Sequence, residues 1–183
     1  MAQTGALVIR YRAYFVRRLQ EAAPAVHRDF SGGREELSLT YQTVSSVSDP
    51  TAAPQKILEQ LRDHQERHRQ AELDSRQCLS GPHKDDLLVE LDGRSAKTYG
   101  SQGQTRTAAL SLKLAQRDIF FQETGEYPVL LLDDVLSELD ARRQAFVLNH
   151  IQGGQIFITC CEEEKLEGLE GGAAFHIHGG ALV

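Results

Sequence analysis

The chain has 183 residues, of which 40% are hydrophobic and 25% charged, a length and composition that suit a soluble protein with one compact core or with one core plus an appendage. Its formal net charge of −6 disfavours nonspecific DNA binding through an overall basic field, so any contact with nucleic acid must be local. The three cysteines have no CxxC spacing, and no segment approaches the roughly 18 apolar residues of a membrane span. These features exclude a disulfide framework and a transmembrane anchor, and we expect a cytoplasmic protein.

The first 80 residues predict a helical subdomain that contains one strand. Apolar residues recur every three to four positions over residues 6–30, which favours a helix that Pro24 kinks or ends. Alternation over residues 37–41 favours a strand, and residues 54–78 favour a second helix with a polar middle. The composition changes at the Ser-Gly-Pro of residues 80–82, which predicts two domains, 1–80 and 81–183.

Residues 81–183 predict alternating strands and helices. The predicted elements are, in order, a hairpin of strands 87–91 and 96–99, a helix 102–122, a buried strand 129–133, a helix 140–151, a strand 155–159 and a strand pair near Phe175 and Leu182. Strand, helix and strand at short spacing are typical of a parallel sheet with crossover helices, so the predicted fold class is α/β.

Two adjacent carboxylates, Asp133 and Asp134, follow the apolar run 129–132. The carboxyl edge of a parallel sheet is where α/β folds place their ligands, and two neighbouring carboxylates repel each other unless a cation or a proton shares the site. One interpretation is a Walker B strand, in which Asp133 holds Mg²⁺ and Asp134 polarises the attacking water of a nucleotide hydrolase. The other is a strand that ends in a solvated acidic turn, and this segment alone does not separate the two.

The segment 99–104, Tyr-Gly-Ser-Gln-Gly-Gln, leads directly into the predicted helix 102–122. A glycine-containing turn before a helix exposes backbone N–H groups and the positive end of the helix dipole, which together can bind an anion. Ser101 can cap the helix and also donate its hydroxyl to a phosphate. The alternative is an ordinary N-terminal cap without a ligand.

Two further segments carry charges that fit either a phosphate or a structural role. In the segment 81–86, Gly-Pro-His-Lys-Asp-Asp, His83 and Lys84 can face a phosphate or pair locally with the two aspartates. Four arginines of the first predicted helix have spacings that let them share one region of its surface: Arg10, Arg17, Arg18 and Arg28. They are candidates for contact with a DNA backbone, and the alternative is an ordinary solvated helix face.

The order of these motifs resembles the second half of an ABC-type ATPase head. There the signature loop, a helix, the Walker B strand and the D-loop follow one another, as do the glycine-serine turn, the helix, the acidic strand and Ser-Glu-Leu-Asp here. The segments 81–86, 100–104 and 130–140 resemble more specifically the RecF family of bacterial recombination mediators. The resemblance is tight from Gly81 to about Thr159, and residues 1–80 resemble the helical arm of that family more loosely.

The resemblance implies a role for each matching residue. Asp133 would hold Mg²⁺, and Asp134 would take the place of the catalytic glutamate of ABC ATPases. Four residues of the turn would contact the ATP bound to a second protomer: Ser101, Gln102, Gly103 and Gln104. Ser137 and Asp140 would belong to the D-loop at a dimer interface, and Thr159 would contact the terminal phosphate.

The chain departs from the ABC pattern at three places. Gln102 replaces the glycine of most signatures, as it does in RecF-like sequences, and Cys160 stands where many ABC ATPases have a phosphate-sensing histidine. No Gly-x-x-x-x-Gly-Lys-[Ser/Thr] segment occurs in the sequence, so it lacks the loop that cradles the β- and γ-phosphates. We therefore expect the chain to correspond to the C-terminal half of a RecF protein, and we expect that alone it neither binds ATP tightly nor hydrolyses it.

The resemblance also implies partners. The whole protein would dimerise around ATP and Mg²⁺, bind DNA at single-strand/duplex junctions, and work with RecR to load RecA. The alternative from another class is a non-catalytic interaction domain that keeps the ABC-like half-fold and docks on a partner ATPase. A protein of the SMC family is disfavoured, because the two predicted helices before residue 80 are too short to build a long coiled coil.

Overall fold

The computed structural model describes residues 2–137, 139–149, 151–166, 169 and 171–183. The α-helices are α1 (Ala2–Ser31), α2 (Pro54–Ser75), α3 (Ala96–Tyr99), α4 (Gln102–Thr124) and α5 (Ala141–Asn149). The strands are β1 (Leu37–Gln42), β2 (Asp86–Leu91), β3 (Arg94–Ser95), β4 (Leu130–Asp133), β5 (Ile156–Thr159), β6 (Ile177–His178) and β7 (Ala181–Leu182). The chain divides into two compact units, a first unit Met1–Ile119 and a second unit Phe120–Val183.

The first unit contains an antiparallel sheet in the order β1-β2-β3. β1 and β2 pair over their whole length, from Leu37 opposite Leu91 to Gln42 opposite Asp86. Leu37 and Leu39 are buried while the residues between and after them are exposed, so the alternation that predicted β1 is confirmed. One face of this sheet therefore belongs to the core and the other faces solvent.

Helix α1 packs on two apolar clusters of the first unit. The first cluster joins α1 to the sheet and α4: Leu19, Ala23, Leu37, Leu39, Leu91, Ala96, Ala108, Ala115 and Ile119. The second joins α1 to α2 and the loop before it: Ala6, Ile9, Val44, Val47, Ile57 and Leu61. Each buried Leu or Ile contributes about 1.5–3 kcal/mol, so both ends of α1 are fixed by apolar burial.

The boundary predicted between residues 80 and 81 lies inside the first unit. β2, which follows that boundary, pairs with β1, which precedes it, and α4 shares the first cluster with α1. The two predicted segments therefore share one core up to Ile119. Their assignment to an arm (1–80) and an ATPase lobe (81–183) stays a prediction.

The second unit contains the parallel pair of strands expected from the sequence. β4 and β5 run parallel from Leu130 opposite Ile156 to Asp133 opposite Thr159. The prediction that the strand is fully buried is wrong, because Leu132 is 5% exposed but Leu131 is 71% exposed. In the described part of the chain β4 pairs with β5 alone, and the apolar residues Val129, Leu131 and Phe157 are exposed.

Other elements differ from the predictions in detail. Residues 96–99 form the helical turn α3 instead of a strand: the Gly100 N–H donates to the Ala96 carbonyl at 3.0 Å. A Cβ at Gly100 would lie 2.5 Å from that same oxygen, so the turn requires glycine there. Helix α1 continues through Pro24. Among the described helices, none is long and apolar enough to cross a membrane.

Candidate functional site

The carboxylates of Asp133 and Asp134 lie at the end of β4, beside the end of β5. Thr159, the last residue of β5, stands opposite Asp133 in the parallel register. Its hydroxyl donates to Asp133 Oδ1 at 2.6 Å and accepts the backbone N–H of Asp134 at 3.1 Å. The Thr159 hydroxyl therefore fixes the orientation of the Asp133 carboxylate and the position of the Asp134 backbone.

The backbone of Asp134 adopts the left-handed conformation, with φ at +47°. Asp and Asn tolerate this region better than other residues with a side chain. The hydroxyl of Ser137 donates to Asp134 Oδ1, and Asp134 as a whole is exposed. The carboxylate is thus held in one orientation and remains open to solvent or to a ligand.

Helix α5 holds the turn that follows Asp134. Asp140 caps α5, because its Oδ1 accepts the Arg143 N–H at 2.9 Å and its Oδ2 accepts Arg143 Nη1 at 3.0 Å. Gln144 Nε2 donates to the carbonyl oxygens of Leu136 at 3.0 Å and Leu139 at 2.8 Å. Leu136 is fully buried, so the turn is anchored by apolar burial as well as by hydrogen bonds.

The oxygen atoms at this edge are the ligand type that Mg²⁺ prefers. Mg²⁺ usually binds one or two protein carboxylates and completes its shell with water and with phosphate oxygens. Asp133 and Asp134 supply two exposed carboxylates. Among the described residues no group of three or more His, Cys, Asp or Glu side chains gathers around a common point. The two carboxylates could therefore hold a Mg²⁺ ion whose remaining ligands are water and phosphate oxygens.

The turn before α4 forms a reciprocal cap. The Ser101 N–H donates to Gln104 Oε1 at 2.9 Å, and the Gln104 N–H donates to Ser101 Oγ at 3.3 Å. This is the capping-box arrangement, in which residues three apart satisfy each other's N–H groups. Ser101 and Gln102 are exposed, while Gly103 is partly buried. The N-terminal cap, one of the two interpretations of this segment, is therefore present. The N-terminus of the 23-residue helix is also exposed, so its dipole remains available to an anion.

The predicted site residues thus fall into two groups. Five of them lie around the ends of β4 and β5 in the second unit: Asp133, Asp134, Ser137, Asp140 and Thr159. The other four lie at the start of α4 in the first unit: Ser101, Gln102, Gly103 and Gln104. Hydrogen bonds join Thr159 to Asp133 and Asp134 and Ser137 to Asp134 in the first group, and Ser101 to Gln104 in the second.

Asp85 is a buried anchor that the sequence did not reveal. Its side chain is 2% exposed and accepts hydrogen bonds from Arg12 Nη1 at 2.9 Å, the Tyr41 hydroxyl at 2.5 Å and the Thr43 hydroxyl at 2.8 Å. Arg12 Nη1 also donates to the Pro82 carbonyl. Burial, followed by the hydrogen bond to Asp85, raises the pKa of the Tyr41 hydroxyl, which keeps it protonated as a donor.

The local pairing considered for segment 81–86 is therefore wrong for Asp85. Its partners come from α1, β1 and the residue after β1, and His83 Nε2 instead lies 2.9 Å from the Cys78 carbonyl oxygen. No periodicity or spacing in the sequence indicates such long-range partners. Lys84 is exposed, and a phosphate contact by His83 or Lys84 stays a prediction.

The four candidate arginines for DNA contact lie on α1 as predicted. Arg10, Arg17 and Arg28 are exposed, and Arg18 is partly buried. The guanidinium of Arg17 lies 5.6 Å from the centre of the Tyr14 ring, a cation–π contact. The basic side chains are thus presented on the surface of the helix, beside an exposed aromatic residue.

Comparisons of the sequence with curated proteins find RecF proteins along the whole chain. The chain is 44% identical over 186 residues to the DNA replication and repair protein RecF of Bacillus subtilis, covering 100% of the chain and 50% of that protein. It is 39% identical over 167 residues to RecF of Clostridium tetani, covering 91% of the chain and 45% of that protein. The chain spans about half the length of the curated relatives it matches. No family model matches the chain.

Comparison of the fold with solved structures gives the same result. The chain is similar to a structure of the recombination mediator protein RecF-ATPrS in the RecFOR pathway, with a TM-score of 0.81 and 32% identity over 99% of the chain and 47% of that structure. A RecF-ATP structure matches with a TM-score of 0.80 and 32% identity over 100% of the chain and 47% of that structure. The predicted fold class is confirmed: an α/β half of an ABC-type ATPase head with a helical part.

Proposed function

The chain belongs to the RecF family, and on that premise we propose that it supplies the C-terminal half of an ATP-dependent, DNA-binding recombination mediator that helps to load RecA in DNA repair. The observation that carries the proposal is the pair Asp133 and Asp134 at the end of a parallel strand, held by the hydroxyl of Thr159. The phosphate-binding loop that this sequence lacks would come from the other half of such a protein.

The acidic pair would act on ATP by position and charge. Asp133 would hold Mg²⁺, which supplies charge neutralisation on the phosphates when it is bound. Asp134 would accept a hydrogen bond from the attacking water and orient it toward the terminal phosphate. The bond from Ser137 to Asp134 Oδ1 supports this role, because it limits the rotation of a carboxylate that must aim at one water molecule.

The turn before α4 would contact the ATP held by a second protomer. Ser101, Gln102 and Gly103 present a hydroxyl, a side-chain amide and a backbone N–H at the start of a helix, all of which can donate to phosphate oxygens. Gln104 would act with them. Ser137 and Asp140 would lie at the same dimer interface. Thr159 would contact the terminal phosphate by turning its hydroxyl hydrogen from Asp133 Oδ1 to a phosphate oxygen.

The proposed partners are DNA at single-strand/duplex junctions and RecR. The exposed arginines of α1 support DNA contact through the phosphate backbone, because the rest of this acidic chain offers no overall attraction to DNA. Arg10, Arg17 and Arg28 would contribute most, since all three are exposed, and the partly buried Arg18 would add to the same surface.

The DNA proposal gives a first prediction. Reversal of charge in an Arg10→Glu/Arg17→Glu variant should weaken DNA binding at least about tenfold, and it should lower the slope of log affinity against log salt by about 1.5–2. The measurement is fluorescence anisotropy of a labelled junction DNA titrated at several salt concentrations. The matched control is the pair Arg67→Glu/Arg69→Glu on α2, which should leave the slope near that of the unmodified protein. If both double variants have equal slopes of log affinity against log salt, α1 does not form part of the DNA-binding surface.

The central test restores the missing half. The N-terminal half of the Bacillus subtilis relative is joined to this chain in one full-length chimera. We expect ATP-dependent dimerisation and hydrolysis by the chimera, and neither by the chain alone. In the chimera, Ser101→Arg should lower the rate of hydrolysis about tenfold or more, because the large side chain occupies the position of the phosphate and removes the donor hydroxyl.

A matched control and an alternative outcome complete this second prediction. Ser45→Arg, an equal substitution at an exposed loop position, should leave hydrolysis unchanged. If the chimera binds its partners without any dependence on nucleotide, and Ser101→Arg has no effect, the non-catalytic interaction domain becomes the better account.

A further inference from the structure

A chain of polar contacts leads from the turn before α4 into the interior of the first unit. Gln104 Nε2 donates to Glu35 Oε1 at 3.2 Å, while the Oε1 of the same amide accepts the Ser101 N–H. Glu35 Oε2 lies 3.3 Å from His27 Nε2, and the side chain of Glu35 is 11% exposed. His27 is fully buried on α1. The turn is therefore connected to α1 through one carboxylate.

The contacts continue back to α4. His27 Nδ1 lies 3.0 Å from the Ser111 hydroxyl oxygen, which itself lies 2.7 Å from the Thr107 carbonyl oxygen. Ser111 and Thr107 are both fully buried on α4. Buried polar groups are costly unless they are hydrogen-bonded, so the bonds at His27 Nδ1 and the Ser111 hydroxyl hold these two side chains in place, while His27 Nε2 faces Glu35 Oε2 at an ion-pair distance. Glu35 is the residue that reaches from these interior contacts to the turn.

From these contacts we propose that Glu35 is the positioning residue of the turn before α4. It holds the amide of Gln104 so that its oxygen faces the Ser101 N–H, and it connects the turn to α1, the helix that carries the basic surface. An amide can rotate by half a turn and exchange its oxygen and nitrogen. The carboxylate of Glu35 accepts only, so it selects the rotamer in which Gln104 Nε2 points inward and Oε1 caps Ser101.

The functional consequence of this proposal rests on the proposed function, because the turn that Glu35 orders is the one that would contact ATP. The geometric part does not depend on ATP. It requires only that removal of the Glu35 carboxylate frees the Gln104 amide and opens the bond from the Ser101 N–H. The two parts can therefore fail separately.

The test measures hydrogen exchange of the backbone amides in the full chain, without nucleotide. Glu35→Ala should speed exchange at the Ser101 amide about three- to tenfold, the effect of one lost hydrogen bond. The matched control is Glu36→Ala, the exposed neighbouring glutamate, which should leave that amide unchanged. Amides of α5 in the second unit should exchange at the same rate in all variants.

A charge exchange keeps the proposal testable if Glu35→Ala fails to fold. Glu35→Gln replaces the acceptor-only carboxylate with an amide, so the Gln104 side chain can face it with either end, and this variant should also speed exchange at the Ser101 amide. The double variant Glu35→Gln/Gln104→Glu forms the same amide–carboxylate pair in the reverse direction and should restore slow exchange. The proposal is overturned if Glu35→Ala leaves the Ser101 amide unchanged, or if the double variant exchanges as fast as Glu35→Gln alone.

A second readout separates the geometric part from the function. In the full-length chimera, Glu35→Ala should weaken ATP-dependent dimerisation about three- to tenfold, and the double variant should restore it. Altered exchange with unaltered dimerisation would keep the positioning role and contradict the proposed contact of this turn with ATP. Unaltered exchange would contradict the positioning role, whatever the chimera does.

Discussion

In the full-length chimera, Asp134→Asn is expected to lower the rate of ATP hydrolysis at least about 100-fold, the usual loss when a positioned base is removed. The substitution removes the charge that would orient and polarise the attacking water. It retains an oxygen that can accept the Ser137 hydroxyl, and asparagine tolerates the left-handed backbone that Asp134 adopts, with φ at +47°. The rate of hydrolysis should therefore fall because the chemical step is slower, while the fold stays intact.

The measurements for this prediction are phosphate release under saturating ATP and the thermal midpoint of each variant. ATP-dependent dimerisation should persist in Asp134→Asn, because the residues at the start of α4 are unchanged. The matched control is Asp63→Asn, an exposed aspartate on α2, which should hydrolyse ATP at the rate of the unmodified chimera. If the isolated chain hydrolyses ATP and Asp134→Asn does not change that rate, both the site assignment and the expected inactivity of the chain alone are contradicted.

The sequence predicted the local part of this site because its signals are local. An apolar run followed by two carboxylates predicts a strand and the position of its end, and β4 does end at Asp133. The exposure of that strand was predicted wrongly. Burial depends on what covers a sheet, and Leu131 is 71% exposed although the run that contains it is wholly apolar.

The role of Thr159 illustrates a limit of a different kind. The family resemblance marked its position as one that contacts phosphate, and that contact stays a prediction. Its hydroxyl bonds to Asp133 and accepts the Asp134 N–H because of the register of β4 against β5. This register brings together residues that are 26 and 25 positions apart in the sequence. Strand register is set by tertiary pairing, so spacing within one segment could not reveal it.

The buried polar contacts were beyond sequence analysis for the same reason. Glu35 and His27 are separated from their partners on α4 by 69 and 84 positions. A glutamate after a helix and a histidine within one have no pattern that distinguishes a buried residue from an exposed one. Local pairing with His83 and Lys84 was one of two interpretations for Asp85, and the structure instead gives it partners from residues 12, 41 and 43.

Asp85→Ala is expected to lower the free energy of unfolding by about 3 kcal/mol, near the lower end of the range for breaking a buried ion pair. Its carboxylate joins α1 to β1 and to the segment before β2, and its removal leaves the hydroxyls of Tyr41 and Thr43 without their acceptor. The side chain of Arg12 is 49% exposed, so water can solvate its charge in the variant and moderate the loss.

Chemical denaturation followed by circular dichroism measures this loss, and the neighbouring aspartate provides the matched control. Asp86 is exposed, so Asp86→Ala should change the free energy of unfolding by no more than about 0.5 kcal/mol. Asp85→Asn should fall between the two, since one side-chain oxygen remains to accept a hydroxyl while the charge that pairs with Arg12 is lost. Equal stability of Asp85→Ala and Asp86→Ala would show that the contacts at Asp85 do not hold α1 to the sheet. A large loss confined to Asp85→Ala would show that this buried carboxylate adds to the two apolar clusters in holding α1, and with it the basic surface of that helix, against the sheet.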